Sequence, residues 1–152
     1  MKLFRISRDK YIRDLSGEGA RLLGGRWNPK GVPVIYTSTH KSLAALETLV
    51  HSPISNLPDD LKIATLNIPD DLQIKEVNRN SLPDLWHKFP APPSLKTIGE
   101  EWVKTGTYLG LMVPSAVIPS ESNVLLNPHH DASDVIHIEN IRPFRFDSRL
   151  PL

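Results

Sequence analysis

Polar and apolar residues alternate over Lys2-Leu3-Phe4-Arg5-Ile6-Ser7, a period of two that predicts a first strand with either Leu3 or Phe4 facing inward and Arg5 on the Leu3 side. A long connection follows from Tyr11 to Gly31, carrying Leu15, Leu22, Leu23 and Trp27, too apolar to read as disordered. Val32 to Tyr36 is a short apolar run and predicts a strand. Ser38 or Thr39 then stands where a helix cap belongs, ahead of Leu43, Ala44, Leu46, Leu49 and Val50 at helical spacing. Glu47 shares a face of that helix with Leu43, Ala44 and Val50, so its carboxylate is expected to point inward.

Further along, Lys62 to Ile68 alternates and ends at Pro69, and Leu72 to Ile74 extends the sheet after a turn. Leu82 to His87 predicts a short helix, broken by Pro90-Ala91-Pro92-Pro93, and Ser94 to Lys104 a second one with Leu95, Ile98, Trp102 and Val103 apolar. Leu109 to Val113 and Ala116 to Ile118 read as one buried strand broken at Ser115. Asn123 to Pro128 and Val135 to Glu139 complete the set, the last continuing toward Phe144-Arg145-Phe146. This mixed order predicts an α+β fold, a single domain over residues 1–152 with a mixed, largely antiparallel sheet and flanking helices.

Composition narrows the picture by exclusion. The absence of cysteine rules out a disulfide framework and cysteine-ligated zinc, and suits a reducing compartment, so the cytoplasm is expected. Eighteen basic against seventeen acidic side chains leave a net charge of +1, which sets up no general field for DNA or RNA. No apolar run is long enough to cross a bilayer, and the charged N-terminus does not read as a signal peptide. Fourteen prolines are spread through the chain rather than gathered in a linker, as expected of a loop-rich domain.

Candidate chemistry begins at Gly24-Gly25-Arg26-Trp27-Asn28-Pro29-Lys30-Gly31, whose turn residues display Arg26 in a loop able to wrap an anion. Trp27 reads more readily as a core anchor than as a ligand platform. Glu47 among apolar neighbours requires a cationic or hydroxyl partner, with Arg5 and Arg26 as local candidates. Ser115 lies in a strand break without the Gly-x-Ser-x-Gly frame of a hydrolase nucleophile. Gly17-Glu18-Gly19 opens like a dinucleotide fingerprint, but Leu22 occupies the third glycine position. No phosphate loop of the Walker type is present, and His129-His130-Asp131 lacks zinc-protease spacing, so no metal site is expected.

Taken together, Arg5, the Gly-Gly-Arg26-Trp27-Asn28 loop, Tyr36 followed by Ala44-Ala45-Leu46-Glu47, Val113-Pro114-Ser115-Ala116-Val117 and Asn123-Val124-Leu125-Leu126-Asn127-Pro128 closely resemble the RES domain family. That family is named for an arginine, a glutamate and a serine, which match Arg26, Glu47 and Ser115 here. The resemblance runs over nearly the whole chain, with the Leu57 to Thr105 stretch contributing little. It implies a fold like that of ADP-ribosyltransferase toxins and the role of toxin in a bacterial type II toxin–antitoxin pair. The implied partner is an Xre-type helix-turn-helix antitoxin, through which alone the toxin would meet DNA.

The implied substrate is NAD, cleaved between nicotinamide and ribose by a glycohydrolase or a phosphorylase, with water or phosphate as acceptor. The alternatives are an ADP-ribosyltransferase that modifies a protein, and a non-catalytic interaction domain whose arginines and Glu47 form a buried ion network. Under the first reading Arg26, Tyr36, Glu47 and Ser115 are catalytic, and Arg5, Arg26, Tyr36 and Asn123 bind NAD. Tyr36 either stacks on nicotinamide or orients Glu47. No cofactor beyond the substrate is implied.

Overall fold

The computed structural model describes residues 1–52 and 54–150, apart from the side chain of residue 54. One seven-stranded sheet organises the chain, formed by β1 (Lys2–Arg8), β2 (Ile35–Ser38), β3 (Leu61–Asn67), β4 (Ile74–Glu76), β5 (Gly110–Pro114), β6 (Ser122–Leu126) and β7 (His137–Pro143). Its spatial order is β4-β5-β6-β2-β1-β3-β7. Every pairing is antiparallel except β4 with β5, so the expected α+β, largely antiparallel architecture is the observed one. Three α-helices accompany it among the described residues: α1 (Glu18–Leu23), α2 (Lys41–His51) and α3 (Pro93–Thr105).

Hydrophobic burial divides between the two faces of the sheet. Leu3, Ile35, Ala64, Leu66, Val124 and Leu126 belong to one core. Trp27, Leu95, Trp102, Leu111, Val113 and Leu125 belong to the other, where α3 and the Trp27 loop pack. Alternation along each strand assigns the faces: Leu125 and Val124 are neighbours in sequence and lie in different cores.

The centre of the sheet is its weakest join. β1 pairs with β3 along its full length, but with β2 only at Phe4 and Ser38. Beyond that pair the two strands part, and the gap is a cavity of about 210 Å³ lined by Arg5, Ile6, Asp14, Gly17, Ala20, Val34, Ile35 and Tyr36.

Four expectations are corrected. The Leu82–His87 segment forms turns rather than a helix: Trp86 N–H reaches Pro83 and Lys88 N–H reaches Leu85, while the carbonyls of Trp86 and Lys88 accept from Arg26. Residues 116–118 form no strand, because the amides of Val117 and Ile118 donate to the Ser115 hydroxyl instead of to a neighbouring strand. Neither Ser38 nor Thr39 caps α2. The cap position is His40, and both hydroxyls turn toward β6, Ser38 to the Asn123 side chain and Thr39 to the Ser122 carbonyl. Finally, Leu43 and Ala44 are buried as expected, but Val50 is 59% exposed, so the inward stripe of α2 ends before its last turn.

Candidate active site

Cross-strand register builds the site. Phe4 lies opposite Ser38, Ser38 opposite Asn123, and Asn123 opposite Val113, forming one row across four strands on a single face. Tyr36 precedes Ser38 by two residues and Ser115 follows Val113 by two, so both continue that face. α2 packs over β1 and β2 and lowers Glu47 onto the row.

Glu47 is half-buried, and its Oε1 accepts two hydrogen bonds, from Ser115 Oγ at 2.8 Å and from Asn123 Nδ2 at 2.6 Å. Ser115 is fully buried and accepts in turn from the amides of Val117 and Ile118 at 3.0 and 3.1 Å. Those amides orient the hydroxyl so that its one proton goes to the carboxylate. Glu47 Oε2 takes no hydrogen bond and is not sealed from solvent among the described residues. The partners of Glu47 are therefore a hydroxyl and an amide, not the arginines proposed from sequence, and it forms no salt bridge among the described residues. The buried ion network of the non-catalytic alternative is absent from them.

Arg26 is held at the rim by the carbonyls of Trp86 (2.7 Å) and Lys88 (3.0 Å), both accepting from Nη1. Burial lowers its pKa from the ordinary arginine value, while the charge of Glu47 acts in the opposite direction. Arginine stays protonated under any physiological condition, so the charge of Arg26 acts on Glu47 as that of a fixed cation.

Tyr36 has its hydroxyl fully engaged: it donates to Asn28 Oδ1 at 2.7 Å and accepts from the Trp27 amide at 3.2 Å. Burial pushes the phenol well above its ordinary pKa, opposed by the Trp27 N–H and by Arg26. It is a neutral phenol with its proton committed, and it makes no hydrogen bond to Glu47. Asn28, 0% exposed, is the structural centre of the loop: Nδ2 donates to the carbonyls of Ala20, Pro29 and Val32. Within the quoted loop motif Asn28 carried only the signal of a turn residue, and its role in holding Tyr36 was not visible there.

Arg5 stands apart. It lies on the Leu3 side of β1, opposite to the row carrying Ser38 and Asn123, and donates to the carbonyls of Asp14 and Tyr11. Burial lowers its pKa and the Asp14 carboxylate counteracts this. The open seam between β1 and β2 is what links it to the rest, since Arg5 and Tyr36 line the same cavity. A larger cavity of about 490 Å³, bounded by Glu76, Asn78, Arg79, Met112, Pro119 and Ser122, holds none of the candidate residues.

The structure thus brings Glu47, Ser115 and Asn123 into direct contact, with Arg26 near enough for its charge to act on Glu47, while Arg5 meets Tyr36 only across the seam cavity. The RES domain family model matches residues 2–147, and the chain belongs to that family. It is 39% identical over 153 residues to Toxin Res of Yersinia enterocolitica, covering 99% of each chain. It is also 34% identical over 139 residues to the Prs ADP-ribosylating toxin of Sphingobium sp., covering 90% of this chain and 86% of that protein. Among solved structures, the M. tuberculosis MbcT–MbcA toxin–antitoxin complex contains a chain of the same fold, with a TM-score of 0.76 at 18% identity, covering 94% of this chain and 83% of the other. The relatives matched along their length are thus toxins. No helix among the described residues is long and apolar enough to cross a membrane.

Proposed function

We propose that this chain is the toxin of a type II toxin–antitoxin pair, acting in the cytoplasm on NAD by breaking the bond between nicotinamide and ribose. The observation that supports this most is Glu47, fixed through one oxygen by Ser115 and Asn123 with the other oxygen open. Cleavage of that bond develops oxocarbenium character at the ribose carbon, and a preorganised carboxylate stabilises it most in the transition state. Nicotinamide departs as a neutral group, so no general acid is needed. This agrees with a site holding one carboxylate and a phenol whose proton is committed elsewhere.

In this reading Arg26 and Arg5 hold the pyrophosphate, their forked donors suiting phosphate oxygens. The cavity at the seam accommodates only part of a dinucleotide, and the remainder lies across Tyr36 toward Glu47. Because the Tyr36 hydroxyl is occupied, its ring serves as a surface for nicotinamide. Ser115 and Asn123 act by fixing Glu47. An Xre-type antitoxin is the partner, and DNA contact passes through it.

The ADP-ribosylating name of the Sphingobium relative favours a second reading, in which a protein side chain replaces water or phosphate as acceptor. The test incubates pure protein with NAD, with and without phosphate, and identifies the products by mass spectrometry. Free nicotinamide with ADP-ribose indicates hydrolysis, and a phosphorylated ADP-ribose indicates phosphorolysis. Nicotinamide release only when a protein acceptor is added supports transfer. No release under any condition overturns the proposal.

A further inference from the structure

We infer that Ser38 is a positioning residue for Glu47, acting through the side-chain amide of Asn123. The inference rests on the reading of Glu47 as the charge-stabilising group. It begins with an assignment of donors. Ionised Glu47 only accepts, so the Asn123 atom 2.6 Å from it must be the Nδ2 amine. The Asn123 oxygen then faces Ser38 Oγ at 2.7 Å, and that hydroxyl is its one donor among the described residues. Ser38, Asn123 and Glu47 form one directed chain in which each link fixes the next.

Without the Ser38 proton, the carboxylate alone selects the orientation of the amide, and the Asn123 oxygen loses the partner that anchors it. Asn123 is then free to swing about its side-chain torsions, and Glu47 loses a rigid donor. Ser38 is buried and lies directly opposite Asn123 in register, so the contact is imposed by strand pairing rather than by a mobile side chain. The same residue is the β2 member of the only β1–β2 pair, at the closed end of the seam. It therefore fixes the carboxylate at the point where the two halves of the sheet still meet.

The test measures NAD cleavage by nicotinamide release for the parent, Glu47→Gln, Ser38→Ala, Asn123→Ala and the Ser38→Ala/Asn123→Ala double variant, each with its melting curve. Misplacing a catalytic group slightly costs one to two orders of magnitude, so Ser38→Ala should lower kcat about tenfold or more with KM little changed. In the Asn123→Ala background the same substitution should have no further effect, because its route is gone. A merely structural serine would cost the same in both backgrounds, and that additive result, or a parental kcat for Ser38→Ala, overturns the inference. Glu47→Gln keeps the two questions separate: full activity in that variant sinks the role of Glu47 itself, whereas an inactive Glu47→Gln beside a fully active Ser38→Ala sinks only the role of Ser38.

Discussion

Glu47 illustrates what a single residue can reveal before and after folding. Its placement among apolar neighbours required a polar partner, and the spacing correctly directed it toward the interior. Its partners were beyond sequence reasoning, because Ser115 and Asn123 lie 68 and 76 residues further along the chain. Replacing Glu47 by Gln preserves shape and removes charge. One of the new amide's hydrogens must then face a donor if the nitrogen takes the inner position, so the oxygen will occupy it and keep both hydrogen bonds. Glu47→Gln is therefore expected to melt within a degree or two of the parent while kcat for NAD cleavage falls by about a hundredfold or more. Parental turnover by a folded Glu47→Gln would show that the negative charge is dispensable.

At the level of elements, the strands that alternate cleanly were legible, and so was α3, whose apolar positions recur at helical spacing. What escaped were segments whose backbone groups are claimed by side chains, near or distant in sequence. The Leu82–His87 segment has helical composition, but Arg26, about sixty residues earlier, takes the carbonyls of Trp86 and Lys88. The amides after Ser115 are likewise taken by its own hydroxyl. Close approach is a second feature that spacing does not reveal. α3 lies so near the Trp27 loop that a Cβ on Gly99 would sit 1.7 Å from the Trp27 carbonyl oxygen, and one on Gly25 would meet the Tyr36 hydroxyl at 2.6 Å. Both contacts involve the loop that carries Arg26. Gly99→Ala must push α3 and that loop apart, with an expected loss of about 2–3 kcal/mol in urea unfolding. NAD cleavage should fall with it even in conditions where the variant remains folded. Wild-type stability in Gly99→Ala would mean that the helix docks less closely than described.

Charge is distributed over the whole molecule as exposed pairs rather than as a field. Hydrogen bonds from arginine hold three carboxylates below their usual pKa: Arg8 on Asp60, Arg21 on Glu18 and Arg149 on Asp147. A depressed carboxylate contributes stability that is present above its unfolded pKa and lost as pH falls through the folded one. These pairs are solvated, so each contribution is small. The urea midpoint should accordingly stay nearly level from neutral pH down to the ordinary carboxylate range, fall gradually below it, and depend on salt only weakly. A steep loss near pH 6 would indicate a buried histidine or carboxylate pair that these contacts do not contain.

The seam between β1 and β2 matters at the same scale, since it divides a continuous sheet at a single residue pair and leaves Arg5 and Tyr36 on either side of the gap. Two halves of a sheet paired so narrowly are held more firmly by whatever fills the space between them. A ligand that reaches from Arg5 past Tyr36 to Glu47 touches both halves, so its binding energy adds directly to the stability of the folded state. Glu47→Gln allows this to be measured with intact NAD, because it keeps both guanidinium groups and is expected not to consume the ligand. At about a hundred times its Kd a ligand stabilises by about 2.7 kcal/mol. For a chain of this size that corresponds to a rise in Tm of about 5–10 °C. Adenosine monophosphate, which lacks the nicotinamide half and cannot reach from one side of the seam to the other, should produce a much smaller rise at equal concentration. Equal shifts with both ligands would place binding on one side of the seam alone, and no shift with saturating NAD would remove the cleft from the account of function.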